Sequence, residues 1–164
     1  MNTALFDSWT NRYDAWFDTP VGKLIRSYEA DLLMELLAPD QGDFLLDAGC
    51  GTGIFTCDVL ASGASVSGID LSFPMVKRAK TRATGSGFYP ACSDMNCLPF
   101  ADDRFDRAFS MTAIEFVEDA RKVIAELERV TKKGGVIVVS TLNSLSPWAE
   151  RRKKKADRGH DLFK

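Results

Sequence analysis

Apolar positions in the first forty residues recur at helical spacing. Phe6, Trp9, Tyr13, Trp16 and Phe17 predict an aromatic-faced helix from residue 4 to about residue 18. Thr19-Pro20 breaks it. A second helix follows, with Leu24, Ile25, Tyr28, Leu32, Met34, Leu36 and Leu37 expected inward, and it ends near Pro39. From residue 43 the pattern changes to short apolar runs alternating with amphipathic stretches. FLLDAG, SVSGID, GFYPAC, FDRAFSM and VIVVST read as five strands. The last is apolar nearly throughout, which predicts a strand covered on both faces. IFTCDVLASG reads as a helix closed by Gly63. SFPMVKRAKTRAT reads as a helix with Ser72 as N-cap and Pro74 in its first turn. EDARKVIAELERVTKKGG carries one stripe of Ala120, Val123, Ile124, Leu127 and Val130, and Gly134 is expected to stop it.

Strands alternating with helices imply right-handed crossovers. The expected class is therefore α/β: a Rossmann-like, doubly wound, mostly parallel sheet with helices on both faces. The chain divides into an N-terminal helical cap (1–40), a core (41–142) and a basic C-terminal tail (143–164). No internal repeat is visible.

Composition narrows the picture modestly. The 164 residues suit one domain, and 45% hydrophobic with 27% charged residues is an ordinary soluble balance. No apolar run reaches membrane-span length and no secretion signal opens the chain, so a cytoplasmic location is expected. RRKKKADR (151–158) concentrates positive charge and leaves the preceding chain acidic. Without interleaved aromatics it reads as a solvated connector, and no nucleic-acid partner is expected. Cys50, Cys57, Cys92 and Cys97 have spacings that fit no zinc pattern, so reduced and mostly buried thiols are expected, with no metal.

The candidate chemistry begins at LLDAGCGTG (45–53). Gly49, Gly51 and Gly53 sit between a strand and a helix, where glycine lets a ligand approach the backbone. Dinucleotide enzymes place a similar loop there. Asp70 ends the second strand, where an acid can accept hydrogen bonds from ribose hydroxyls. Asp47 lies just ahead of the loop. It would repel a pyrophosphate and tolerate an ammonium group. After the third strand, Asp94 is placed to accept from an adenine amine and the Met95 amide to donate to a ring nitrogen. Leu71 and Met75 are expected to sandwich the ring. These positions fall at the carboxyl ends of adjacent strands, where open α/β sheets bind ligands.

With these motifs assembled, the chain resembles the class I S-adenosylmethionine-dependent methyltransferases, and among them the ubiquinone/menaquinone-biosynthesis type (methyltransferase type 11 domain). LLDAGCGTG, GIDLSFPMV, CSDMNCLPFADDRFD and RVTKKGGVIVVST carry the resemblance, from about residue 10 to residue 148. It implies S-adenosyl-L-methionine as cofactor, S-adenosyl-L-homocysteine as product, and transfer to a small-molecule acceptor by direct in-line displacement. In the implied site Asp47, Gly49, Gly51 and Gly53 surround the methionine part, and Asp70 holds the ribose. Leu71, Met75, Asp94 and Met95 contact the adenine, Met111 lies near the sulfonium, and Tyr13 covers the amino-acid end.

No catalytic residue is assigned. Glu115, just after the fourth strand, is the candidate base or substrate contact. His160 and Trp148 receive no catalytic role. The family's sheet normally gains a hairpin after the fifth strand, and this chain ends too soon for one, which would leave that strand an exposed edge. A truncated gene product or fragment, a partner or second copy covering the edge, and the tail folding back are the three explanations. RGHDLF, similar to a mid-chain loop of longer relatives, favours the first. The alternatives for function are a non-catalytic cofactor-binding module and an NAD-dependent dehydrogenase.

Overall fold

The computed structural model describes residues 6–85, 87–146, 149–150, 153–154 and 157. Trp148, His160 and RGHDLF lie outside the described residues. The elements are α1 (Thr10–Asp18), α2 (Pro20–Leu37), β1 (Phe44–Ala48), α3 (Ile54–Leu60), β2 (Ser65–Asp70), α4 (Phe73–Arg82), β3 (Phe88–Cys92), β4 (Phe105–Met111), a short 3-10 turn (Ile114–Phe116), α5 (Ala120–Val130) and β5 (Thr131–Ser140). No helix among the described residues is long and apolar enough to cross a membrane.

The five strands form one parallel sheet in the order β3-β2-β1-β4-β5. Successive strand residues point to opposite faces. Leu45 therefore joins a core with Leu33, Leu37, Val59, Val66 and Phe109, and Leu46 joins another with Ile69, Phe105, Ala108, Val123 and Leu127. Helices α2 and α3 close the first face and α5 closes the second. The chain leaves β1 for β2 on one side and later enters β4 on the other, so the strand order reverses at the ends of β1 and β4. Crevices at such a switch point receive ligands.

Local signals set several element ends. Ser72 accepts from the Met75 amide at 3.5 Å and Pro74 fills the first turn of α4, as its sequence predicts. Thr19 caps α2 by accepting from the Gly22 amide at 3.0 Å, with Pro20 as the first helical residue.

Six expectations are corrected. Residues 6–9 form a turn, and helix α1 begins only at Thr10, one turn later than the aromatic spacing suggests. On α2 the buried residues are Gly22, Ala30, Leu33 and Leu37; of the positions expected inward, Leu37 is buried and Met34 packs partly against the core, whereas Leu24, Tyr28, Leu32 and Leu36 are exposed together with Val21. Leucines occupy both sides of this helix, so spacing alone does not separate the buried stripe from the exposed one. Helix α5 stops at Val130 rather than Gly134. The β-branched Thr131 turns the backbone to extended geometry and its hydroxyl donates to the Leu127 carbonyl at 2.7 Å. Ile124 and Ala120 also lie outside its buried stripe of Val123, Leu127 and Val130. Finally, β5 is an edge strand among the described residues, and only Thr131 within it is buried. Its apolar run is not covered on both faces. The thiols differ too: Cys50 is buried and Cys57 half-buried, but Cys92 and Cys97 are exposed.

Candidate functional site

The glycine loop after β1 is tied down from within. Gly49, Gly51 and Gly53 all adopt positive φ. At Gly49 the need for glycine is also steric, because an added Cβ would sit 2.5 Å from the Ala113 Cβ. The amides of Gly49 and Cys50 both donate to the Ile69 carbonyl at 2.8 Å, and the Gly53 amide donates to the Cys50 carbonyl at 2.9 Å. The Gly51 amide donates to Asp70 Oδ2 at 2.9 Å. Four of the five amides from Gly49 to Gly53 are thus engaged by the protein itself. A phosphate-binding loop works by presenting such amides to the anion. This loop turns four of its five amides inward, and residues 44–57 contain no lysine, arginine or histidine.

The acids are arranged around that loop. Asp47 in β1 is 2% exposed, and its Oδ2 accepts from the Thr56 hydroxyl at 2.6 Å. Burial pushes its carboxyl up to about 7, against the lowering effect of the Thr56 hydrogen bond; the nearby Asp70 charge adds to the rise. Asp70 uses both oxygens on backbone: Oδ2 for Gly51 and Oδ1 for the Ser72 amide at 2.8 Å. Burial raises its pKa and these hydrogen bonds lower it. A carboxylate offers about four lone-pair sites, so two amides leave room for ligand hydroxyls.

Tyr13 of α1 lies over the loop. Its Cε1 is 3.9 Å from the position a Gly51 Cβ would take. Its phenol is held well above the usual range, first by burial and then by the charges of Glu29, Asp47, Asp70 and Asp14. Glu29, on α2, is itself raised by burial and by the Glu115 charge. Glu115 stands on the 3-10 turn after β4, with both carboxylate oxygens shielded from solvent. Sequence spacing gives no sign of Glu29 or Ala113, which come from elements far from the glycine motif.

The remaining positions are mixed. Met95 is buried, with its Cε 3.8 Å from the place of a Gly49 Cβ. Met111 is buried in the core at the end of β4. The next residue, Thr112, holds a left-handed φ of 48°, sparsely populated for a β-branched side chain, and its amide donates to the Ser140 hydroxyl at 3.0 Å. Asp94 is exposed, and its Oδ1 accepts from both the amide and the side-chain nitrogen of Asn96 at 2.8 Å, an Asx-type turn. Leu71 and Met75, the two residues expected to sandwich the ring, differ in exposure. Leu71 is 61% exposed, whereas Met75, on the inward face of α4, is 1% exposed.

A glycine loop that engages most of its own amides, acids at the ends of adjacent strands and a parallel sheet whose order switches beside β1 define a doubly wound α/β domain. Comparison with known proteins agrees. The chain belongs to the methyltransferase domain family, whose pattern matches residues 46–139. It is 38% identical over 130 residues to a malonyl-acyl-carrier-protein O-methyltransferase of Hamiltonella defensa subsp. Acyrthosiphon pisum, covering 78% of this chain and 50% of that protein. The chain thus spans half the length of that curated relative. Among solved structures it is similar to a SAM-dependent methyltransferase of Thermotoga maritima described as a possible histamine N-methyltransferase (TM-score 0.75, 25% identity, 97% of this chain and 70% of that one). It is also similar to the 4+2 cyclase SpnF (TM-score 0.63, 32% identity, 68% of this chain and 43% of that one).

S-adenosylmethionine is the cofactor this domain implies. The residues present fit it. The loop is acidic-flanked and cation-free, and the Tyr13 ring lies over it at Gly51.

Proposed function

We propose that this chain is the cofactor-binding core of an S-adenosylmethionine-dependent methyltransferase acting on a small-molecule acceptor by direct in-line displacement. The observation that carries the reading is the inward engagement of the loop amides beside the buried Asp47 and the half-buried Asp70. That arrangement rejects a pyrophosphate and accepts a ligand with an ammonium group and a positive centre, which argues against an NAD-dependent dehydrogenase. When bound, the cofactor supplies a methyl group on an electrophilic sulfonium.

In this proposal the chain's own residues bind, orient and exclude water. Asp47 and the backbone at Gly49, Gly51 and Gly53 receive the methionine part, and Tyr13 covers it. The free lone pairs of Asp70 accept from the ribose hydroxyls. Asp94, through Oδ2, and the Met95 amide read the adenine edge, with Leu71 against the ring and Met75 supporting α4 from below. Met111 lines the pocket near the reacting centre. Glu115, shielded and close enough to Glu29 to raise its pKa, is the proposed acceptor contact or base. Positioning of this kind supplies about 7–11 kcal/mol of barrier reduction in favourable systems, so a protein base is optional.

A second reading has a specific observation behind it: relatives named malonyl-acyl-carrier-protein O-methyltransferases suggest a carboxyl acceptor tethered to a carrier protein. A third reading is a non-catalytic cofactor-binding module. Calorimetric titration with S-adenosylhomocysteine and with NAD separates the cofactors, and binding of NAD alone overturns the proposal. Turnover is then measured by S-adenosylhomocysteine release across phenols, quinones, amines and a malonyl-loaded carrier protein. Methylation of the carrier substrate alone selects the second reading, and tight binding without any turnover selects the third.

A further inference from the structure

Helix α1 has no buried residue, yet it carries the side chain that covers the glycine loop. Apolar contact is confined to one side, where Tyr13 and Phe17 pack partly against the core and Phe17 meets Phe55 edge-on at 6.2 Å. The other fastenings are polar, and most converge on one carboxylate. Asp14 Oδ1 accepts from the Thr52 hydroxyl at 2.7 Å and from Arg82 at 2.7 Å, and its Oδ2 lies 3.4 Å from Arg78. Arg78 also donates to Asn11 Oδ1 at 2.6 Å. Just ahead of the helix, Asp7 accepts from the Ser72 hydroxyl at 2.6 Å. Thr52, fully buried, belongs to the glycine loop, and Arg78 and Arg82 belong to α4.

Asp14 therefore joins three parts at once: the helix bearing Tyr13, the loop Tyr13 covers, and the helix that follows the ribose-side acid Asp70. The far end of α1 is a joint. Thr19 is extended and Pro20 starts α2, and the Thr19 hydroxyl donates to the Trp16 carbonyl at 2.7 Å and accepts from the Gly22 amide at 3.0 Å. At that corner Gly22 passes so close to the Trp16 carbonyl that a Cβ would overlap it, which fixes the pivot.

We propose that α1 is a lid over the loop and that Asp14 is its latch, a positioning residue that holds Tyr13 above Gly51. With Tyr13 in place the ligand face of the loop is covered, so entry and exit of the cofactor require α1 to swing on the Thr19–Pro20 joint. Release is then governed by rupture of the Asp14 cluster. Two arginines and a buried hydroxyl share one carboxylate, and charge-assisted hydrogen bonds of this kind are the strong ones. Lid opening commonly limits turnover in such designs.

The proposal rests on the cofactor reading above, and the test separates the two. The dissociation rate of S-adenosylhomocysteine is measured by stopped-flow displacement for wild type, Asp14→Asn and Arg82→Gln. In parallel, hydrogen exchange of α1 is followed in cofactor-free protein. Asp14→Asn is expected to speed dissociation about tenfold or more, raise KM without lowering kcat, and accelerate exchange across residues 10–18 while leaving β1 and β4 protected. Wild-type dissociation should quicken with added salt, and the Asn variant should respond less. If Asp14→Asn does not fold, Arg82→Gln, which alters α4 and leaves α1 untouched, reads the same quantities. Dissociation within twofold of wild type, or unchanged α1 exchange, overturns the latch. Absence of S-adenosylhomocysteine binding by wild type overturns the cofactor reading, and the exchange arm still decides the latch.

Discussion

Asp70 Oδ2 accepts the Gly51 amide at 2.9 Å, so the acid proposed to hold the ribose also braces the loop beside it. Its other oxygen holds the first residue of the turn into α4. Asp70→Ala should therefore lose in two measurements. Cofactor affinity should fall by about 1–3 kcal/mol, the scale of buried hydrogen bonds to a charged group. Thermal stability of the cofactor-free protein should fall as well. An affinity loss with an unchanged melting temperature would show that the brace contributes nothing.

The pH dependence of Asp47 has a definite sign. Its folded-state carboxyl is pushed up to about 7 by burial, above its ordinary value of 3.8. A carboxyl raised in this way gives a contribution to stability that is fully present below about pH 4 and is lost as pH rises through about 7. Asp47→Asn removes that slope and keeps an acceptor for Thr56. The stability of Asp47→Asn relative to wild type should climb between about pH 4 and 7 and then level off. A constant difference across that range, by chemical denaturation, would contradict the assignment. In wild type, affinity for S-adenosylhomocysteine should weaken as pH drops below about 7, because the protonated acid no longer favours an ammonium group.

Two glycines of similar φ offer a controlled comparison. Gly42 at φ 90° has nothing within 4 Å of an added Cβ, whereas Gly49 at φ 80° would meet Ala113 at 2.5 Å. Gly42→Ala should cost about 1–2 kcal/mol, the left-handed backbone term alone. Gly49→Ala should cost visibly more, and Ala113→Gly in the same chain should recover part of the excess. Urea denaturation of the three variants checks this; equal costs at the two glycines would show that Ala113 yields.

Adjacent leucines on α2 test the corrected face. Leu33 is buried and Leu32 exposed. Leu33→Ala should cost about 2–5 kcal/mol and Leu32→Ala about 0.5 kcal/mol or less. Reversed values in equilibrium unfolding would restore the face the leucine spacing suggests.

Arg129 fastens the segment that follows Asp94 and Met95. It donates to the carbonyls of Leu98 at 3.1 Å and Phe100 at 2.8 Å and is gripped by Glu126, which also accepts the Leu98 amide at 2.7 Å. Arg129→Ala should speed hydrogen exchange in residues 94–102 and weaken cofactor binding without touching the ligand. Exchange confined to α5 would count against that link.

Much of this fold is legible along the chain because local signals and tertiary packing agree. SVSGID and FDRAFSM match β2 and β4 residue for residue, since each is a short stretch of mixed apolar and polar residues that follows turn residues. Ser72 caps where its position before Pro74 suggests. Legibility fails where one stretch supports two answers. In LLMELL leucines line both sides of a helix, and only the neighbouring core decides which is inward. In VTKKGG the glycines look like a stop, but Thr131 already ends the helix and Gly134 lies in the irregular pairing of β5 with β4. At the site, Asp47, Asp70 and the glycines are visible because they share one motif spacing. Asp14 and Thr52 are 38 positions apart, and nothing in either segment announces the other. The double engagement of Asp70 and the exposure of Leu71 against the burial of Met75 depend on how α4 sits, which no periodicity records.

The inward-turned amides of the loop also limit what this scaffold can become. Exchanging Asp47 for a cation would change the charge of the crevice but would not free a single N–H, because Ile69, Asp70 and Cys50 would still hold them. Conversion to a nucleotide-phosphate enzyme would need the main chain itself redrawn from residue 49 to residue 53, a step no single side-chain replacement can take.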